Sequence, residues 1–125
     1  MNRTPAGVAP SGASGARSIS NVELADTLCR LSDKLSEARR IHLRAYGCLL
    51  PHVFMGDVLK RIGGCLGTEE AKDIMAALES GMVHGDRETR NVISLSFTRD
   101  SELESFFDKL RPLMGPSTRA QLNGR

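Results

Sequence analysis

Leu24, Leu28, Leu31, Leu35 and Ala38 recur at intervals of four, three, four and three residues. That spacing draws one apolar line along an α-helix and none along a strand. In front of it, Ser20-Asn21-Val22-Glu23 is a capping box, in which hydroxyl and carboxylate each take the other's backbone N–H. Ile41 and Ala45 extend the line, and Gly47 supplies a stop. The pattern predicts one helix over residues 20–46. A line this short is read as the core side of a bundle helix rather than a coiled-coil seam.

Further helical patterns follow at short intervals. Pro51 fits the first turn of a helix whose buried side is Val53, Phe54, Val58, Leu59 and Ile62. Gly56 in its middle suggests a close helix contact, and Gly63-Gly64 ends it. Thr68 caps the next helix, with Glu69 and Glu70 in its first turn and Ile74, Met75, Leu78 and Met82 inward. Residues 86–97 carry two signals. Ile93, Leu95 and Phe97 alternate with serines as in a strand, whereas Asp86 stands where an N-cap should be. The segment is read as a helix, the wall on which its neighbours pack. Ser101-Glu102-Leu103-Glu104 is a second capping box, opening a helix with Leu103, Phe106, Phe107 and Leu110 on its apolar side. Pro112 stops it, residues 116–122 form a last short helix, and residues 123–125 fray.

With four Phe, one Tyr and no Trp, the interior must be filled mainly by aliphatic side chains, which suits helices. The expected fold is all-α: a compact orthogonal bundle of five to six helices, with HEAT-like hairpins as the alternative arrangement. Residues 1–19 are Ala, Gly, Ser and Pro with two arginines. They are expected to be a disordered tail, leaving residues 20–125 as a single domain.

Charge and cysteine usage narrow the function classes. Lys and Arg total 17 against 15 Asp and Glu, and Arg3 and Arg17 in the tail account for the excess. The remaining chain is neutral, which argues against general nucleic-acid binding. The cluster Arg39, Arg40, His42 and Arg44 is read as a solvated face. Cys29, Cys48 and Cys65 form no C-x-x-C pair, which suggests a reducing compartment. No apolar stretch reaches membrane-spanning length, and no secretory h-region is present. A cytoplasmic protein without cofactors is expected, binding neither membrane nor nucleic acid.

No residue set reads as a catalytic centre. His52 and Asp57 are five apart on one helix, offset by roughly 140°, so they do not pair directly. Ser94 and Ser96 have no nucleophile-elbow context and no His at a recognisable spacing. The glycine-rich run at residues 63–67 lacks the Lys-Ser/Thr of a phosphate loop and is read as a flexible turn. Glu79, Asp86 and Glu88 are too few for a metal, and capping accounts for Asp86. What remains is charge on helix surfaces. Glu79, Asp86, Arg87, Glu88 and Arg90 are the candidate partner-binding residues.

Three strings add a resemblance: Leu50-Pro-His-Val-Phe-Met-Gly-Asp57, then Gly85-Asp-Arg-Glu-Thr-Arg-Asn-Val-Ile-Ser-Leu-Ser-Phe97, then Leu113-Met-Gly-Pro116. Together they resemble a family of small bacterial proteins of unknown function. Its members carry an LPH-hydrophobic-x-GD string, a GD-x-x-x-x-NVI-x-x-SF string and a terminal LGP-like turn. The likeness runs over about residues 22–122, and Met114 departs from the last motif. Similar proteins are compact, helical and loosely associated with toxin–immunity gene neighbourhoods. The resemblance implies an immunity-type protein, without enzymatic activity, that occludes a cognate toxin domain. The alternative is a helical adaptor or regulator that pairs with itself, between monomer and weak dimer.

Overall fold

Ser32 divides the first expected helix in two. The computed structural model describes residues 18–122. The expected tail at residues 1–17 and the fraying at 123–125 therefore lie outside the described residues. Helix α1 is Asn21–Leu31, opened by the capping box: Glu23 N–H donates to Ser20 Oγ at 3.1 Å and Ser20 N–H to Glu23 Oε1 at 3.0 Å. At Ser32 the backbone is extended (φ −145°, ψ 117°), and its hydroxyl accepts the Leu35 N–H at 3.2 Å. That bond starts α2, Asp33–Tyr46. Serine competes for nearby backbone N–H groups, so it favours a cap over a helix interior. The apolar line is split accordingly. Leu24, Leu28 and Leu35 are buried, but Leu31 and Ile41 are exposed.

Gly47 closes α2 in the left-handed region (φ 78°). Helix α3, Pro51–Gly64, buries Phe54, Met55, Val58, Leu59 and Ile62. Val53, expected inside, is exposed, because Met55 takes the inward position on that turn. Helix α4, Glu69–His84, starts from the Thr68 cap as expected. The Arg61 guanidinium grips Glu70 with two bonds of 2.7 and 2.8 Å, clasping the end of α3 to the start of α4.

Helix α5, Arg87–Ile93, opens from Asp86, whose carboxylate accepts the Thr89 N–H at 2.8 Å. It continues through a π turn, Ser94–Thr98, into α6, Arg99–Ser101. Residues 86–97 are thus helical, and of the alternating apolar residues Ile93 and Phe97 are buried while Leu95 is exposed. The second capping box does not form. Ser101 lies at the end of this continuous helix, where its hydroxyl donates to the Thr98 carbonyl at 2.5 Å, and Leu103 is 86% exposed. The apolar face that includes Phe107 and Leu110 belongs to a shorter α7, Phe107–Leu110. A 3-10 turn, Arg111–Leu113, and α8, Pro116–Arg119, complete the described chain.

The result is all-α. Helix α1 packs on α2 and α4; α3 packs on α2, α5 and the π turn; α4 packs on α5 and α8. Phe54, Phe97, Leu28, Ile62, Ile74, Leu78 and Ile93 fill the centre. The chain enters through Ile19, half-buried and tied to the α4–α5 corner. Its N–H donates to the His84 carbonyl and its carbonyl accepts the Asp86 N–H, both at 2.9 Å.

Phe97 is fully buried at the π turn. Phe97→Ala should cost about 3–5 kcal/mol, read as a lower urea midpoint with an unchanged slope. Glu70 gives the acid response. The Arg61 bonds, helped by the Ser32 hydroxyl, hold its carboxyl well down, at about 2 against an ordinary 4.5. The folded chain therefore binds this proton less readily than the unfolded chain. The clasp contributes fully above pH 4.5 and is lost as pH falls towards 2. Glu70→Gln should cost roughly 1–2 kcal/mol at neutral pH and much less near the acid end of that window, in thermal melts across pH.

Candidate protein-docking face

The connection between α2 and α3 is built on a buried histidine. Leu50, the N-cap residue of α3, offers no side-chain oxygen, and its own N–H donates to His42 Nε2 at 2.9 Å. The His42 ring lies 4.8 Å from Tyr46 and meets Phe54 edge-on at 6.0 Å, centroid to centroid. His42 therefore does not belong to a solvated basic face. Of its expected companions, Arg39 bonds Asp26 and Arg40 bonds Glu37, each at 2.5 Å.

Above this histidine a groove of about 310 Å³ opens between the two helices. Ala38, Ile41, Ala45 and Tyr46 line it from α2, and Val53 and Asp57 from α3. Ile41, Tyr46 and Val53 are 57%, 53% and 46% exposed. Asp57 has no ion-pair partner among the described residues. On the far flank, His52 Nδ1 lies 2.5 Å from Ser96 Oγ, fastening the first turn of α3 to the π turn beside exposed Leu95. A serine bonded to a histidine is half of a nucleophile–base arrangement. Among the described residues, no carboxylate bonds the other side of the ring. As it stands, the pair orients two helices. The sequence offered no view of it, since the partners are 44 positions apart.

The five residues singled out from sequence are not brought together. The Glu79 carboxylate turns inward and caps α8, accepting the Ser117 N–H at 2.9 Å and the Thr118 N–H and hydroxyl at 2.8 Å. Burial raises its pKa, but the Thr118 and Ser117 backbone bonds outweigh that, and the net shift is downward. Asp86 caps α5, and the Thr89 N–H holds its carboxyl below the ordinary value. Arg87, Glu88 and Arg90 face solvent on α5. Among the described residues, no three His, Cys, Asp or Glu side chains gather as metal ligands, and no helix is long and apolar enough to cross a membrane. The glycine-rich run is a packing feature at its first residue: a Cβ on Gly63 would sit 2.5 Å from the Phe106 ring.

Cys48 lies exposed in the α2–α3 connection, while Cys29 and Cys65 are buried and burial pushes the Cys29 thiol up. Ellman's reagent should titrate one thiol rapidly in the native protein and all three after unfolding.

No curated protein and no solved structure matches the chain. A family model does: the Domain of unknown function (DUF7674) matches residues 24–125, and the chain belongs to that family.

Proposed function

We propose that this domain is a non-catalytic protein-binding module that receives its partner on the α2–α3 face. The observation that carries the reading is the open groove with Ile41, Tyr46 and Val53 exposed around it. Large apolar side chains grouped around a concave site gain most by being covered. An apolar anchor from a partner seated in the groove would cover these side chains and be covered by them, the setting in which interface residues contribute most.

The resemblance in the LPHV and NVI strings supports a more specific form, an immunity-type protein whose partner is a toxin domain held in an occluded state. Arg87, Glu88 and Arg90, exposed at the start of α5, support fast and selective encounter through complementary charge. A helical adaptor that pairs with itself is the other form of the same reading.

Co-expression with the product of the adjacent gene, followed by size-exclusion chromatography with light scattering, tests it. The neighbour should be toxic alone, tolerated with this chain, and recovered as a one-to-one complex. Ile41→Asp combined with Val53→Asp should abolish both tolerance and complex while the melting transition remains cooperative. A harmless or non-binding neighbour removes the immunity form. A complex indifferent to the double substitution removes the α2–α3 face from the reading.

A further inference from the structure

We infer that a second copy of this chain occupies the α2–α3 face, with α3 crossing its counterpart at Gly56. The inference rests on the reading of this face as a docking surface and names its occupant. Gly56 sits in the middle of a 14-residue helix, where glycine is the poorest choice after proline. Nothing in the fold requires it, since a Cβ there would meet no atom within 4 Å. The contrast with Gly81 is direct, because a Cβ on that residue would lie 2.7 Å from Ile93 Cδ1. A helix glycine that is exposed and unopposed within its own chain is suited to the close approach of another backbone.

The surroundings of Gly56 carry their own complement. Val53 lies one turn before it, beside the groove, and Asp57 and Lys60 follow it on α3. Neither Asp57 nor Lys60 has an ion-pair partner among the described residues. A surface that bears a protrusion, a hollow and one charge of each sign satisfies a two-fold axis. Asp57 of each copy meets Lys60 of the other, and Ile41 or Tyr46 of each enters the other's groove. A foreign partner would have to supply all of these features independently. One helix crossing and one groove make a small interface, so a reversible dimer with a dissociation constant in the micromolar range is expected.

Sedimentation velocity of residues 1–125, from about 1 µM to about 1 mM, provides the test. The wild-type chain should pass from monomer to dimer over that range. Gly56→Leu should weaken the dimer at least about tenfold. Gly56→Ala should weaken it less and raise the thermal midpoint, because the helix gains where no neighbour is disturbed. Asp57→Lys and Lys60→Asp should each weaken the dimer by placing like charges together, and the double swap should restore it. Circular dichroism confirms that each variant is folded. A chain that stays monomeric throughout, or a dimer indifferent to Gly56→Leu and the charge swaps, overturns the inference. If that monomer still binds the neighbouring gene product and Ile41→Asp/Val53→Asp abolishes the complex, only the identity of the occupant is wrong. If no complex depends on the face, the docking reading fails with it.

Discussion

The burial of Val92, Ile93, Phe97 and Thr98 along one side of a single helical stretch is the constraint on which the other elements depend. This stretch meets α3 and α4, with α8 against its π turn. Its buried positions fall four apart, at residues 93, 97 and 101 and at 94 and 98. In a regular α-helix, residues four apart drift by about 40° per step, which would carry Ser101 away from the interior. The π turn takes up that drift. The Arg99 N–H reaches the Ser94 carbonyl five residues back, and the apolar side stays aligned with its neighbours.

A domain made of short helices has many helix ends, and each leaves unsatisfied backbone groups. Much of this chain's polar chemistry goes there. Ser20, Ser32, Thr68 and Asp86 cap the helices that follow them. Glu79 caps α8 from across the fold, and His42 takes the amide at the start of α3. Glu79, expected to meet a partner, and His42, expected on a solvated face, are therefore committed to architecture. Asp57, Lys60 and the exposed charges of α5 are among the polar groups that keep no such role. These are surface features suited to recognition.

On the proposed docking face between α2 and α3, folding and binding would make opposite demands. Covering Ile41 and Val53, or replacing Gly56 by alanine, would favour the isolated fold. Exposed apolar groups and an interior helix glycine are local departures from what a monomer alone would favour, and such departures collect where function is located. The His42 bond to the Leu50 amide and the His52–Ser96 contact both fasten the N-terminal end of α3, one to α2 and the other to the π turn.

What the sequence determined by itself is local and helical. The boundaries of α3 and α4, the caps at Ser20, Thr68 and Asp86, and the left-handed stop at Gly47 depend on residues within about one turn of each other. Such interactions are encoded in a short string, and so they were legible. The break at Ser32, the failure of the Ser101 box and the exposure of Val53 and Ile41 were not. Each depends on which competing local choice lets a whole face find partners, and burial is a property of the assembled chain. The same holds for the candidate site. Glu79 caps α8 from 38 positions away and His52 meets Ser96 from 44. The tertiary structure alone decided which polar groups were taken up by helix ends and which apolar side chains were left facing outward.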